Sequence, residues 1–76
     1  MSGGQRRWLL EVVSAAFRSR RKTLFNNLRA DRRFAGKDKM LTALFLKLDL
    51  ARDRRGETLD LEEFTALARE LAPLAE

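Results

Sequence analysis

Ala15-Ala16-Phe17-Arg18-Ser19-Arg20-Arg21-Lys22-Thr23-Leu24-Phe25-Asn26-Asn27-Leu28 is the stretch on which the reading of this chain turns. Its apolar ends flank a strongly basic passage, Arg18 to Lys22. At roughly 100° per residue, Arg18, Arg21, Lys22, Phe25 and Arg29 fall within about 100° of arc, while Phe17, Leu24 and Leu28 lie on another face. One face can meet phosphates and the other can pack. Phe25 inside the cationic stripe either offers a ring on which an unpaired base stacks or packs against a neighbouring loop. Asn26 and Asn27 are poor helix formers, so the pair either bonds backbone across a tight helix junction or reaches a base edge. Thr23 is read as bonding its own preceding turn.

Upstream, Trp8, Leu9, Val12, Val13, Ala16 and Phe17 repeat with the spacing of one wide apolar helix face. Residues 1–4, Met-Ser-Gly-Gly, read as a flexible leader or a truncation start, and residues 5–76 as a single domain. The helical pattern through Leu28 is compatible with one long helix or with two, because Ser19 is its only mild breaker. Downstream, Asp31, a basic pair and Gly36 mark a connection with a helix stop, after which Asp38 is expected to cap another helix. That helix, Met40 to Leu48, is apolar nearly all round and is expected at the centre of the core. Asp60 followed by Glu63 is a capping box in its Asp form. Leu59 and Phe64 are placed for a hydrophobic staple, and Pro73 limits extension. No strand pattern occurs. The expectation is an all-α fold, a small compact bundle of three to five helices.

Composition narrows the chemistry. The 76 residues contain neither Cys nor His, which removes the usual zinc sites, thiol nucleophiles and imidazole bases. Residues 1–39 carry eleven Lys or Arg against three acids, a net of +8, whereas residues 40–76 carry five against eight, a net of −3. Such segregation suggests a polyanion footprint on one face. Twelve of the sixteen cations are Arg, suited to bidentate phosphate contacts and to stacking on bases. Glu62 and Glu63 point apart on a helix, and Asp49 and Asp53 among Arg52, Arg54 and Arg55 read as local ion pairs, so no carboxylate pair is set up for catalysis. No apolar run reaches the roughly 20 residues of a membrane span, and no signal-peptide core follows Met1, so a soluble, cytoplasmic protein is expected, and a monomer is the simplest assembly.

The opening stretch resembles the AAFxxRRKTLxNNL signature that begins the C-terminal domain of ribosomal RNA small-subunit adenine N6,N6-dimethyltransferases. A second passage, Arg55-Gly56-Glu57-Thr58-Leu59-Asp60-Leu61-Glu62-Glu63-Phe64, is similar to that family's R-(A/P)-E-(T/N)-L-(S/T)-x-E-E-F, in the same order. Departures occur at Arg18 and Ser19, where Ser-Gln is common, at Phe25, where Arg is common, and at Arg52, where Pro is frequent. The resemblance implies a helical domain that helps position small-subunit ribosomal RNA so that two adjacent adenines are methylated by an S-adenosylmethionine-dependent catalytic domain. That domain's Rossmann-like glycine loop and its Asn-(Leu/Ile)-Pro-(Tyr/Phe) motif are not in this sequence; Gly3-Gly4 has no strand before it.

The resulting expectation is an RNA-binding domain with no catalysis and no cofactor of its own. Its partners would be ribosomal RNA of the small ribosomal subunit and the catalytic methyltransferase domain. Arg18, Arg20, Arg21, Lys22, Arg29, Arg32 and Arg33 are the candidate phosphate contacts, with Asn26 a candidate for a base or sugar. Two other functions compete. A docking module would expose an apolar patch to the catalytic domain, and a helix-turn-helix DNA binder would need a distinct recognition helix, which the pattern does not show.

Overall fold

The structure is a computed structural model and describes residues 3–75. Four α-helices, α1 (Gly3–Ala16), α2 (Leu24–Arg29), α3 (Asp38–Lys47) and α4 (Leu61–Leu71), alternate with short 3-10 turns at Arg32–Phe34, Gly56–Thr58 and Ala72–Ala75. No strand occurs among the described residues. The all-α expectation holds. Gly3 and Gly4, assigned above to the leader, lie in the first turn of α1, while Met1 and Ser2 fall outside the described residues.

The basic passage separates two helices rather than continuing one: α1 stops at Ala16 and α2 starts at Leu24. Thr23 does not bond the turn before it; extended at φ −68° and ψ 164°, it caps α2, its hydroxyl accepting from the Asn26 N–H at 3.2 Å. The first N–H of α2, on Leu24, donates to the Arg54 carbonyl at 2.8 Å, tying this short helix to the loop before α4. Leu24, Phe25 and Leu28 are buried, so α2 is a six-residue plug in the core rather than an amphipathic surface helix.

Beyond α2, Asp31 caps the Arg32–Phe34 turn by accepting from the Arg33 N–H at 2.9 Å. Gly36, at φ +77°, makes the left-handed step into α3 that a side chain would oppose. Asp38 does not cap α3. The N-cap position is Lys37, without a side-chain bond, and Asp38 is the first helical residue, paired with Arg29 at 2.8 Å. A first-turn acid still suits the positive end of the helix.

α3 ends in a Schellman arrangement. Leu50 N–H reaches the Phe45 carbonyl at 2.8 Å and Asp49 N–H reaches Leu46 at 3.2 Å, with Asp49 itself at φ +57°. Only one side of α3 is covered, through Leu41, Leu44 and Phe45; Met40 and Leu46 are 55% and 77% exposed, against the expectation of a helix buried all round.

α4 opens with the expected capping box, Asp60 Oδ1 accepting from Glu63 N–H at 2.8 Å and Glu63 Oε1 from Asp60 N–H at 3.1 Å. Leu59 packs on the core. α1 and α4 lie side by side, joined where Trp8 Nε1 donates to the Ala68 carbonyl at 2.6 Å. The core they share with α2 and α3 includes Val12, Leu24, Phe25, Leu28, Phe34 and Leu67. Lys37 Nζ donates to the Leu74 carbonyl, fastening the last turn to the start of α3.

Candidate nucleic-acid interface

The connection from Phe17 to Thr23 is shaped by one side chain. Asn27, buried on α2, donates its amide to the Ala16 and Ser19 carbonyls at 2.8 and 3.0 Å and accepts from the Ser19 N–H at 3.2 Å. With all three bonds turned inward, Asn27 holds the α1–α2 connection against α2, and the neighbouring cations Arg18, Arg20, Arg21 and Lys22 are exposed around it. The structural role considered for the Asn pair is therefore taken by Asn27, while the Asn26 side chain remains exposed with no partner among the described residues.

The candidate cations differ sharply in what already holds them. Arg20, Arg21, Lys22 and Arg32 are exposed and make no ion pair among the described residues. Arg18 has a 3.9 Å approach to Asp31 and keeps most of its side chain in solvent. Arg29 is paired with Asp38. Arg33 is spoken for: its guanidinium donates twice to buried Asp31 at 2.9 Å, lies 3.5 Å from Glu11 and sits 5.3 Å from the Trp8 ring centre. Hydrogen bonding from the Arg33 side chain holds the Asp31 carboxyl below its ordinary value despite burial, which works the other way.

The single helical stripe proposed from the sequence does not form, because residues 18–23 are not helical. Phe25 is correspondingly no stacking platform. It is 1% exposed, meets Phe45 edge-on at 5.1 Å and is covered by the Arg52 guanidinium at 4.3 Å from its ring centre. Nor do Arg52, Arg54 and Arg55 pair with Asp49 or Asp53. Arg54 binds Glu63 through two bonds of 2.8 and 3.0 Å, and this, with the capping bond, keeps the Glu63 carboxyl below its ordinary value.

Arg55 is the residue that sequence reasoning missed. Its Nη1 donates to the Arg20 carbonyl at 2.8 Å across a separation of 35 residues, so the second motif lands against the first. Gly56 makes this approach possible: a Cβ there would lie 3.1 Å from the Ala16 carbonyl oxygen. The two segments enclose a hollow of about 470 Å³ lined by Phe17, Arg20, Lys22, Arg55 and Glu57, among others. The basic residues of each motif are legible in the sequence, but nothing local indicates that the two motifs meet. No group of acids able to hold a metal ion occurs among the described residues, and no described helix is long and apolar enough to cross a membrane.

Comparison with known proteins carries the resemblance across most of the chain. It is 43% identical over 68 residues to ribosomal RNA small subunit methyltransferase A of Bacillus cytotoxicus, covering 88% of this chain and 23% of that protein. The match to the protein of the same name from Geobacillus kaustophilus is 46% over 66 residues, covering 84% and 22% respectively. The chain thus spans less than a quarter of the length of the curated relatives it matches. No family model and no solved structure matches it.

Proposed function

We propose that this chain, similar over most of its length to one segment of ribosomal RNA small subunit methyltransferase A, is an RNA-binding helical domain. In this reading it helps position small-subunit ribosomal RNA for adenine dimethylation carried out by a catalytic domain elsewhere in the parent enzyme. The observation that carries the reading is the gathering of Arg20, Arg21, Lys22 and Arg55 at the junction of the two motifs, with no acid among the described residues paired to any of them. Cations free of acidic partners can neutralise phosphates and release the counterions condensed on the nucleic acid, which is the source of salt-dependent affinity. Arg18, Arg29, Arg32 and Asn26 extend the surface, while Arg33 is assigned to the scaffold.

The residues present do not fit S-adenosylmethionine. Gly3 and Gly4 begin a helix instead of forming a turn after a strand, so in this reading the methyl transfer belongs to the catalytic domain.

The test is salt dependence of binding to a small-subunit ribosomal RNA hairpin. The triple change Arg20→Gln, Arg21→Gln, Lys22→Gln is expected to reduce the magnitude of the log K against log salt slope by about 2 to 3. The charge-matched triple Arg6→Gln, Lys47→Gln, Arg69→Gln is expected to leave it nearly unchanged. Equal slopes in the two variants would defeat the proposal.

A docking reading has its own observation: Leu10, Met40, Leu46 and Leu61 are all more than half exposed. Binding to a separately produced catalytic domain, lost on changing Leu46 and Met40 to Gln and indifferent to salt, would favour it.

A further inference from the structure

We infer that the hollow between the α1–α2 connection and the Gly56–Thr58 turn is a subsite for one unpaired nucleotide, its base stacked on Phe17 and its phosphate held by Arg20, Lys22 and Arg55. The inference rests on the RNA-binding reading above and adds a base-contacting residue to it.

Among the described residues, Phe17 is the only large aromatic side chain left substantially open, at 46% exposure. Its ring lies 6.1 Å from that of Phe64, so it is backed by the core and still presents surface to the hollow. A ring supported in this way gives up little freedom when a base lies on it. Every base has a π face, so such a contact tolerates any sequence but requires the base to be unpaired.

The charge around the ring suits a phosphate. Three cations line the hollow against one acid, Glu57. Arg55 is already oriented by its bond to the Arg20 carbonyl, which uses one Nη1 hydrogen and leaves the rest of the guanidinium fork available. At about 470 Å³, the hollow falls within the range of small-ligand sites, roughly 300 to 1,000 Å³. A side chain at position 56 would press on Ala16, so the floor is backbone against backbone. An acidic peptide would satisfy the cations but would leave the ring without its stacking partner.

A short single-stranded oligoribonucleotide carrying one 2-aminopurine reports stacking through quenching of its fluorescence. Wild-type protein is expected to quench it, and Phe17→Leu, which keeps apolar contact with Phe64, is expected to abolish the quench and weaken binding about tenfold. The salt slope should not change in Phe17→Leu, because no cation is removed. Glu57→Gln is expected to tighten binding a few-fold. Circular dichroism confirms that each variant is helical, and Leu9→Val, a conservative core change away from the hollow, reproduces any general loss of packing without loss of quench.

Quenching and affinity in Phe17→Leu equal to wild type would overturn the inference, as would equal quenching by the same strand held in a duplex. Full displacement of the oligonucleotide by an equimolar poly-glutamate peptide would overturn it as well. Salt-dependent RNA binding without quenching would overturn the subsite alone and leave the RNA-binding proposal standing. No RNA binding at all would overturn both.

Discussion

The Asn27 side chain donates 2.8 Å to the carbonyl oxygen of Ala16, so α1 is closed by a residue eleven positions further along the chain. α1 has no glycine, proline or basic residue in its last turn to stop it. Its end is set instead by the Asn27 amide, which also takes Ser19 at both backbone groups.

Removing that amide strands a buried carbonyl at the helix end and loosens the turn beyond it. Asn27→Ala is expected to cost about 3 kcal/mol, whereas Asn26→Ala, on the exposed side of α2, should cost less than about 0.5 kcal/mol. Urea denaturation of the two variants measures the difference. Equal costs would show that Asn27 does not organise the junction.

The pair Asp31 and Arg33 makes stability depend on acid. Because Asp31 is held below its ordinary value in the folded chain, its contribution is complete above the usual carboxylate range and is lost as pH falls through that range toward the lowered value. Arg33→Gln removes the guanidinium that donates twice to buried Asp31, leaving the residue-33 N–H and the approach of Arg18, and should cost about 2 to 3 kcal/mol at pH 7. With the largest lowering influence on Asp31 removed and the residue-33 N–H and Arg18 remaining, the variant should lose less stability than the parent on acidification from about pH 7 to about pH 4. Thermal melts at the two pH values decide it, and parallel behaviour would place the acid dependence elsewhere.

The parts of the fold legible in the sequence are those fixed within a few residues. The capping box needs only Asp60 and Glu63, and both bonds form. The apolar face of α1 needs only its spacing. What was not legible depends on distant neighbours: the lid that Arg52 places over Phe25 from 27 positions away, and the approach of Arg55 to Arg20. α3 shows the same limit. Apolar residues on every side say nothing about which side a neighbour will reach, and in a chain of four short helices nothing among the described residues covers Leu46. The candidate cations were identifiable by type, but their availability was not, since Arg32 and Arg33 are adjacent in sequence and only Arg33 is consumed by a buried acid.

Burial on α3 predicts unequal costs for like changes. Leu44→Ala, at a buried position, should cost about 2 to 5 kcal/mol, and Leu46→Ala less than about 0.5 kcal/mol. Comparable losses in a denaturation series would mean that Leu46 is covered in solution.

Asp49 carries the left-handed turn that ends α3, at φ +57°. A residue with a Cβ pays for that conformation, and glycine does not, although glycine adds freedom to the unfolded chain. The balance favours Asp49→Gly by about 0.5 to 1 kcal/mol. Asp49→Val should be destabilising by more than that, because branching at Cβ worsens the same clash. The order Gly above Asp above Val in midpoint denaturant concentration is expected, and a Val variant as stable as the parent would contradict the assigned backbone.

Arg32 and Arg33 give the sharpest separation between a cation that binds RNA and one that builds the domain. Both changes to Gln lower the net charge from +5 by one, so general attraction to a polyanion falls equally. Arg32 is exposed without an ion pair among the described residues, and on the proposed RNA-binding face its removal should reduce the magnitude of the salt slope by about 0.7 to 0.9, the value of one phosphate contact. Arg33 is already neutralised by Asp31 and Glu11 and lies against Trp8, so it releases few counterions when RNA arrives. Arg33→Gln should leave the slope within error of the parent while lowering the melting temperature. The comparison is made below the midpoint of the less stable variant, so that both chains are folded when RNA is added. A drop in slope for Arg33→Gln as large as that for Arg32→Gln would show that the Asp31 pair opens on binding, and would return Arg33 to the RNA-contacting set.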